Sequence, residues 1–215
     1  MAVRLPLFPL GTVLFPHMPL SLHVFEQRYR RMLADCDAEG ISFGVIAIRE
    51  GHEVGQDAVP YEVGTLARVE LHDRLEDGRS QLLLIGASRF RILEHVTDRP
   101  YPAGVVQYLE DRSEPGDTAL RLAARLRREF ELHLARRREP AVAGTDQQEL
   151  PDDPEVLAYL VAASLPVDIA DRQRLLELDG TEDRLRACLT LLHREQSLVA
   201  QLAAKHEIAG SVSMN

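Results

Sequence analysis

LPLFPLGTVLFPHMPLSLHVFEQRY, residues 5–29, decides how the rest of the chain is read. Its first 21 positions, Leu5 to Phe25, hold no Asp, Glu, Lys or Arg, enough apolar length for a bilayer-spanning helix. Four prolines, Pro6, Pro9, Pro16 and Pro19, argue against that reading. Inside a helix each proline removes a donor and clashes one turn back, costing about 3 kcal/mol. A segment in hydrocarbon must satisfy its backbone internally. A secretory signal fits no better, since Arg4 is the lone early charge and no small-residue cleavage site follows. Proline is tolerated at strand starts, strand edges and turns. The stretch therefore predicts β structure: a strand at Val3–Leu5, an extended edge from Pro6 to Pro9 and a turn at Gly11-Thr12. A loop, Phe15-Pro16-His17-Met18-Pro19, then leads into a strand on which Leu20, Leu22 and Val24 alternate.

Composition narrows the function classes. With 215 residues, 45% of them hydrophobic, the chain can build one domain or two modest ones. Its net charge of −9 argues against a general nucleic-acid binder, which would show a basic face. Neither half escapes this: residues 1–112 carry 12 Arg against 16 acids, and residues 113–215 carry 13 basic against 18 acidic residues. Cys36 and Cys188 lie far apart without a CxxC spacing, so a reducing cytoplasm is expected, with both thiols packed as small hydrophobes. Lys205 is the single lysine, against 24 arginines.

Past the opening, Phe25, Tyr29, Met32, Leu33 and Cys36 recur at helical spacing, with Gly40 as the stop. Ile41 to Ile48 follows as an apolar strand, and residues 49–62 as a polar loop. Val63 to His72 and Ser80 to Ala87 predict strands joined by an Asp77-Gly78 hairpin, the Leu82–Ile85 run suggesting burial on both faces. Arg89-Phe90-Arg91-Ile92 alternates out and in, and Gly104 to Leu109 makes a last strand. Beyond residue 112 the period turns helical. Leu122, Leu126, Phe130 and Leu134 form a stripe, residues 139–154 a polar loop, and Asp153-Pro154 a cap and first helical position. A shorter helix spans about Asp168 to Leu178, and after Asp179-Gly180 a long one carries Leu185, Leu189, Leu192, Val199 and Leu202. The expected architecture is α+β, with a β-rich subdomain over residues 1–112 containing one early helix, and a helical bundle over residues 117–208.

The opening LPLFPLGTVLFPHMPLSLHVFEQRYRRML resembles the start of the Lon protease N-terminal, substrate-binding domain. Phe43-Gly44-Val45, Val63-Gly64-Thr65-Leu66-Ala67, Gly86-Ala87-Ser88-Arg89-Phe90-Arg91 and Pro100-Tyr101 agree in order, as do Arg172–Leu178 and Asp183–Glu195. The resemblance implies a PUA-like pseudo-barrel followed by a helical bundle, and a role in holding unfolded or tagged polypeptides. It also implies a stand-alone form, lacking the ATPase and peptidase domains that follow this region in Lon proteases. The sequence holds no G-x-x-x-x-G-K-[ST] phosphate loop, and Lys205 has no glycine-rich context.

Several motifs have plainer explanations than chemistry. Glu26 and Arg28 suit the first turn of a helix. Arg89 and Arg91 read as a solvated strand face, and Arg136-Arg137-Arg138 as a cationic helix end. His17, His23, His52 and His72 match no metal-ligand spacing, and Ser42, Ser88 and Ser164 lack a nucleophile elbow. The loop residues Phe15, His17 and Met18 are the candidate peptide-binding residues, because a proline-stiffened apolar tip is pre-organised for contact. Whether Phe15 and Met18 stay exposed or fold back on the core is open from sequence. The expectation is a non-catalytic binder of unfolded polypeptide segments or a protein partner, using no cofactor, metal, nucleic acid or membrane. A hydrolytic or small-molecule enzyme with a site between the halves is one alternative, and an RNA-binding PUA-like protein another.

Overall fold

The computed structural model describes residues 2–53, 58–110, 116–137 and 150–212. It forms two compact units, Met1–Ser113 with Asp168–Gly180, and Glu114–Val167 with Thr181–Asn215.

In the first unit the apolar opening becomes two strands, β1 (Ala2–Leu10) and β2 (Pro19–Val24). They share a sheet with β3 (Phe43–Glu50), β4 (Val59–Arg74), β5 (Ser80–Val96) and β6 (Ala103–Leu109), in the order β2-β5-β4-β3-β1-β6. A further β5–β6 pairing closes five of the strands into a ring, with β2 outside it on the first half of β5. Pro6 and Pro9 thus sit inside a continuous strand, where a missing N–H is normally costly. The pairing explains their tolerance. Residues Ala2–Pro6 register antiparallel with β6 and residues Leu7–Leu10 register parallel with β3, so neither half is paired along both sides.

Helix α1 (Gln27–Glu39) buries Tyr29, Met32, Leu33 and Cys36 against the sheet, with Phe8 stacked on Tyr29 at 4.1 Å between ring centroids. It ends at Gly40, whose φ of 64° closes the last turn through its N–H to the Cys36 carbonyl. Phe25, expected on this apolar face, precedes the helix and is 51% exposed. The Asp77-Gly78 turn forms as expected, Gly78 having a φ of 78°. The Leu82–Ile85 run does not bury both faces: Leu82 and Leu84 point inward, while Leu83 and Ile85 are half-buried.

Helices α2 (Asp117–Arg137) and α3 (Pro154–Ser164) follow in the chain, and then α4 (Ile169–Glu177). Sequence reading groups it with the helical bundle, but it packs on β4 and β3 within the first unit. The reason is polar. Arg89 on β5 is 2% exposed and donates from Nη1 to the carbonyls of Leu176 and Leu178, both at 2.8 Å. Gln173 donates from Nε2 to the Val63 carbonyl at 2.9 Å. A guanidinium at a helix C-terminus answers carbonyls that have no helical partner. Arg89 is therefore an internal cap, and of the pair only Arg91 is solvated.

In the second unit Asp153 caps α3 as expected, accepting from the N–H groups of Glu155 and Val156. On α2 the buried face comprises Ala119, Ala123, Leu126, Phe130 and His133; Leu122 is half-buried and Leu134 exposed, a rotation away from the expected stripe. Helix α5 (Thr181–Val212) buries Leu185, Cys188, Leu189 and Leu192, whereas Val199 is exposed. Arg184 is buried with its guanidinium 4.2 Å from the Tyr159 ring centre. Residues 139–149 of the expected loop, and the side chains of Arg136–Arg138 and Leu202, lie outside the described residues.

Replacing Arg89 by Met keeps the apolar stem and removes the donor to one buried and one part-buried carbonyl, so Arg89→Met should cost about 1–3 kcal/mol in denaturant unfolding. Arg91→Met, on the solvated side, should stay within about 0.5 kcal/mol.

Candidate functional site

The loop expected to bind peptide is anchored at both ends. Thr65 donates from Oγ1 to the Leu14 carbonyl at 2.6 Å, His17 donates its N–H to the Gly86 carbonyl at 2.8 Å, and Gly86 donates to the Met18 carbonyl at 3.0 Å. A Cβ on Gly86 would run into the Phe15 carbonyl, so a glycine is required for this close approach. The consequence for the candidate residues is mixed. Phe15 is 1% exposed and belongs to the core, Met18 is half-buried, and His17 alone is exposed, with φ at 64°.

An exposed apolar surface lies elsewhere, on the outer side of β2, β5 and β4. Antiparallel partners share a face, and here Ser21, Leu83 and Leu71 form one row, with His23, Gln81 and Asp73 as the next. These rows line a shallow depression of about 430 Å³. Leu71 is 65% exposed, and Phe25 adjoins through His23, their ring centroids 5.8 Å apart. Along β4 a simple alternation would send Leu71 inward with Ala67. The register slips between Val69 and Leu71, two β4 steps against one on β5, and that bulge turns Leu71 outward beside Leu83. Among the described residues β2 pairs with β5 alone, and no described strand lies along its other edge.

The opposite side of the same hairpin is different in kind. His72, Arg74 and Ser80 face α1, and with Gln27, Arg30, Arg31, Leu33, Ala34 and Asp37 they bound a groove of about 550 Å³. His72 Nε2 lies 3.0 Å from Ser80 Oγ, the pairing a hydrolytic reading would seek. A nucleophilic serine needs its histidine oriented by a third group. Among the described residues no carboxylate bonds the His72 ring, and the contact is that of a cross-strand polar pair.

The shifted titrating groups are also structural. Burial pushes the Cys36 and Cys188 thiols up to about 12, so neither supplies thiolate at neutral pH. Tyr29 is raised to about 12 by burial. Asp35 accepts from Tyr101 Oη and Arg31 Nε, each at 2.8 Å, and from Arg99 Nη1 at 3.1 Å. The Tyr101 hydroxyl, then the two arginines, hold the Asp35 carboxyl below its ordinary 3.8. Among the described residues no group of three or more His, Cys, Asp or Glu could hold a metal ion, and no helix is long and apolar enough to cross a membrane.

Comparison with known proteins gives one consistent answer. The model of the ATP-dependent protease La (LON) substrate-binding domain matches residues 4–194. A Lon protease of Anaeromyxobacter dehalogenans is 31% identical over 198 residues, covering 91% of this chain and 24% of the relative. Lon protease 2 of Herpetosiphon aurantiacus is 33% identical over 221 residues, covering 98% and 26%. The chain thus spans about a quarter of the length of the curated relatives it matches. Among solved structures, a Lon N-terminal domain protein from Xanthomonas campestris superposes with a TM-score of 0.66 at 32% identity, over 87% of this chain and 98% of that one. The N-terminal domain of a Mycobacterium avium complex Lon protease, at 18% identity over 89% and 98%, shares the fold with a TM-score of 0.68.

Because the Asp35 pKa is depressed in the folded state, its contribution to stability is present above the ordinary 3.8 and fades as pH falls through that value and below. Asp35→Asn should therefore lower the unfolding midpoint at pH 7, and the gap to wild type should narrow as the pH of a denaturant series falls below the ordinary carboxylate value.

Proposed function

The chain belongs to the ATP-dependent protease La (LON) substrate-binding domain family, and from that premise we propose that it holds unfolded polypeptide segments without cleaving them. The observation that carries this reading is the exposed Leu71, set beside Leu83 in a sheet face bordered by the open edge of β2. Two separate modes of capture are offered there. The backbone of an extended segment pairs along the outer edge of β2, or an apolar segment lying over the sheet face covers Leu71 and Leu83. Covering one leucine-sized side chain contributes about 1.5–3 kcal/mol, which suits weak, sequence-tolerant capture. His17, exposed at the loop tip, and Met18 border this strand where Pro19 begins it, and so join the rim of the site; Phe15 supports them from inside.

In this role the protein needs no cofactor and no metal, works in a reducing cytoplasm with its two buried thiols free, and has a polypeptide as partner rather than RNA. RNA affinity would rest on neutralising phosphates, and the chain carries 34 acids against 25 basic residues. A PUA-like fold for the ring of strands, which the family resemblance implies, would by itself carry no activity.

Fluorescence anisotropy with a labelled, net-neutral, unfolded apolar peptide tests the proposal. Leu71→Asp should weaken binding about tenfold, the loss of roughly 1.4 kcal/mol of apolar contact. Leu120→Asp, at an exposed leucine on α2, should leave it unchanged. Equal affinity in wild type and Leu71→Asp would remove this face from the account.

A further inference from the structure

The groove between α1 and the β4–β5 hairpin has a charge that the rest of the chain does not predict. In a protein of net charge −9 its lining offers three arginines, Arg30, Arg31 and Arg74, against one carboxylate, Asp37. Two of the three are paired: Arg31 with Asp35 at 2.8 Å and Arg74 with Asp37. Arg30 forms no ion pair among the described residues. Its guanidinium reaches across to the hairpin turn and lies against Gly78, where a Cβ would occupy its place. The nearby Asp77 is bonded by Arg79, whose Nε is at 2.6 Å and backbone N–H at 3.0 Å, and it feels the Arg30 charge without forming an ion pair with it. The paired arginines are themselves exposed, with side chains 67% and 68% accessible. Exposed ion pairs hold by about 0–1 kcal/mol, so an incoming carboxylate can exchange with Asp37 at little cost.

We propose that this groove is a second binding site, one for an acidic peptide segment. Guanidinium groups bind carboxylates through paired N–H donors, which favours carboxylate-bearing chains over neutral ones. The groove is also more than an anion hole. Leu33 and Leu75 contribute apolar lining, and about 550 Å³ is far more than an inorganic anion fills. Its chemistry matches a segment in which Asp or Glu alternates with an apolar residue. The site stands independently of the Leu71 face: His72 and Arg74 point to α1, while Leu71 and Asp73 point away. The hairpin thus presents an apolar surface on one side and a cationic one on the other.

The test uses the full chain and two labelled unfolded peptides of equal length, one net-neutral and apolar, the other Glu-rich with interspersed leucines. Arg30→Gln combined with Arg74→Gln should weaken the acidic peptide about tenfold, and binding of that peptide should fall with added salt. The net-neutral peptide should bind the variant as it binds wild type, which also shows that the variant is folded. Unchanged affinity for the acidic peptide in the variant overturns the proposal. So does displacement of that peptide by inorganic phosphate at concentrations matching its own carboxylates, which would mark a small-anion site. Arginine-dependent binding of the acidic peptide with no binding of the neutral one would leave the groove standing and sink the Leu71 face instead.

Discussion

A proline can accept a ladder hydrogen bond but cannot donate one, and β1 carries two of them through the closed ring of strands. The strand survives because it changes neighbour at Pro6–Leu7: it registers with β6 before that point and with β3 after it. This hand-over is what joins the two ends of the sheet. β6 leads back to β5 and β3 leads on to β4, so the ring closes through a strand that at each residue is registered on one side. The closed ring then fixes where everything else goes. α1 covers one opening of the core through Tyr29, Met32 and Leu33, and β2 is left outside, paired to β5 alone.

Closure has a functional corollary. A ring removes sheet edges, the usual templates for unwanted pairing, yet among the described residues this one retains an edge at β2 and carries exposed leucine two strands in, on β4. Natural sheets normally blunt such edges with charge, and β2, with the sequence PLSLHV, has none. An unprotected edge next to an apolar face is a liability in an inert protein and an asset in one that holds extended chains. The β4–β5 hairpin supplies both surfaces because strand side chains alternate, and its bulge between Val69 and Leu71 sets which residues go to which side.

Much of this was legible in the sequence, for physical reasons that can be named. The prolines excluded a spanning helix, Asp77-Gly78 announced a turn needing positive φ, Gly40 a helix stop and Asp153-Pro154 a helix start, all of them local requirements met by local chemistry. Failures came where a distant partner decided the outcome. Arg89 reads as solvated by alternation, and only the carbonyls of Leu176 and Leu178, 87 and 89 residues on, draw it inside. The same bonds take α4 away from the helices that flank it in sequence. The outward turn of Leu71 could not be read at all, because the bulge is set by register with β5 and no residue type in VELHD signals it. Phe15 was undecidable because a proline-stiffened tip is equally good for display or for burial; the Thr65 hydroxyl and the missing Cβ of Gly86 settle it as buried.

What unites the two halves of the hairpin is that a chain captured there would be read by its backbone and by coarse chemistry, not by sequence. Amide NMR of the labelled protein during titration with the net-neutral unfolded peptide examines that idea at residue level. The account predicts shifts and exchange protection concentrated in β2 and around Leu71 and Leu83, with the β1–β3 and β1–β6 ladders unmoved. Perturbations centred on the helices of the second unit, with β2 silent at saturation, would contradict it.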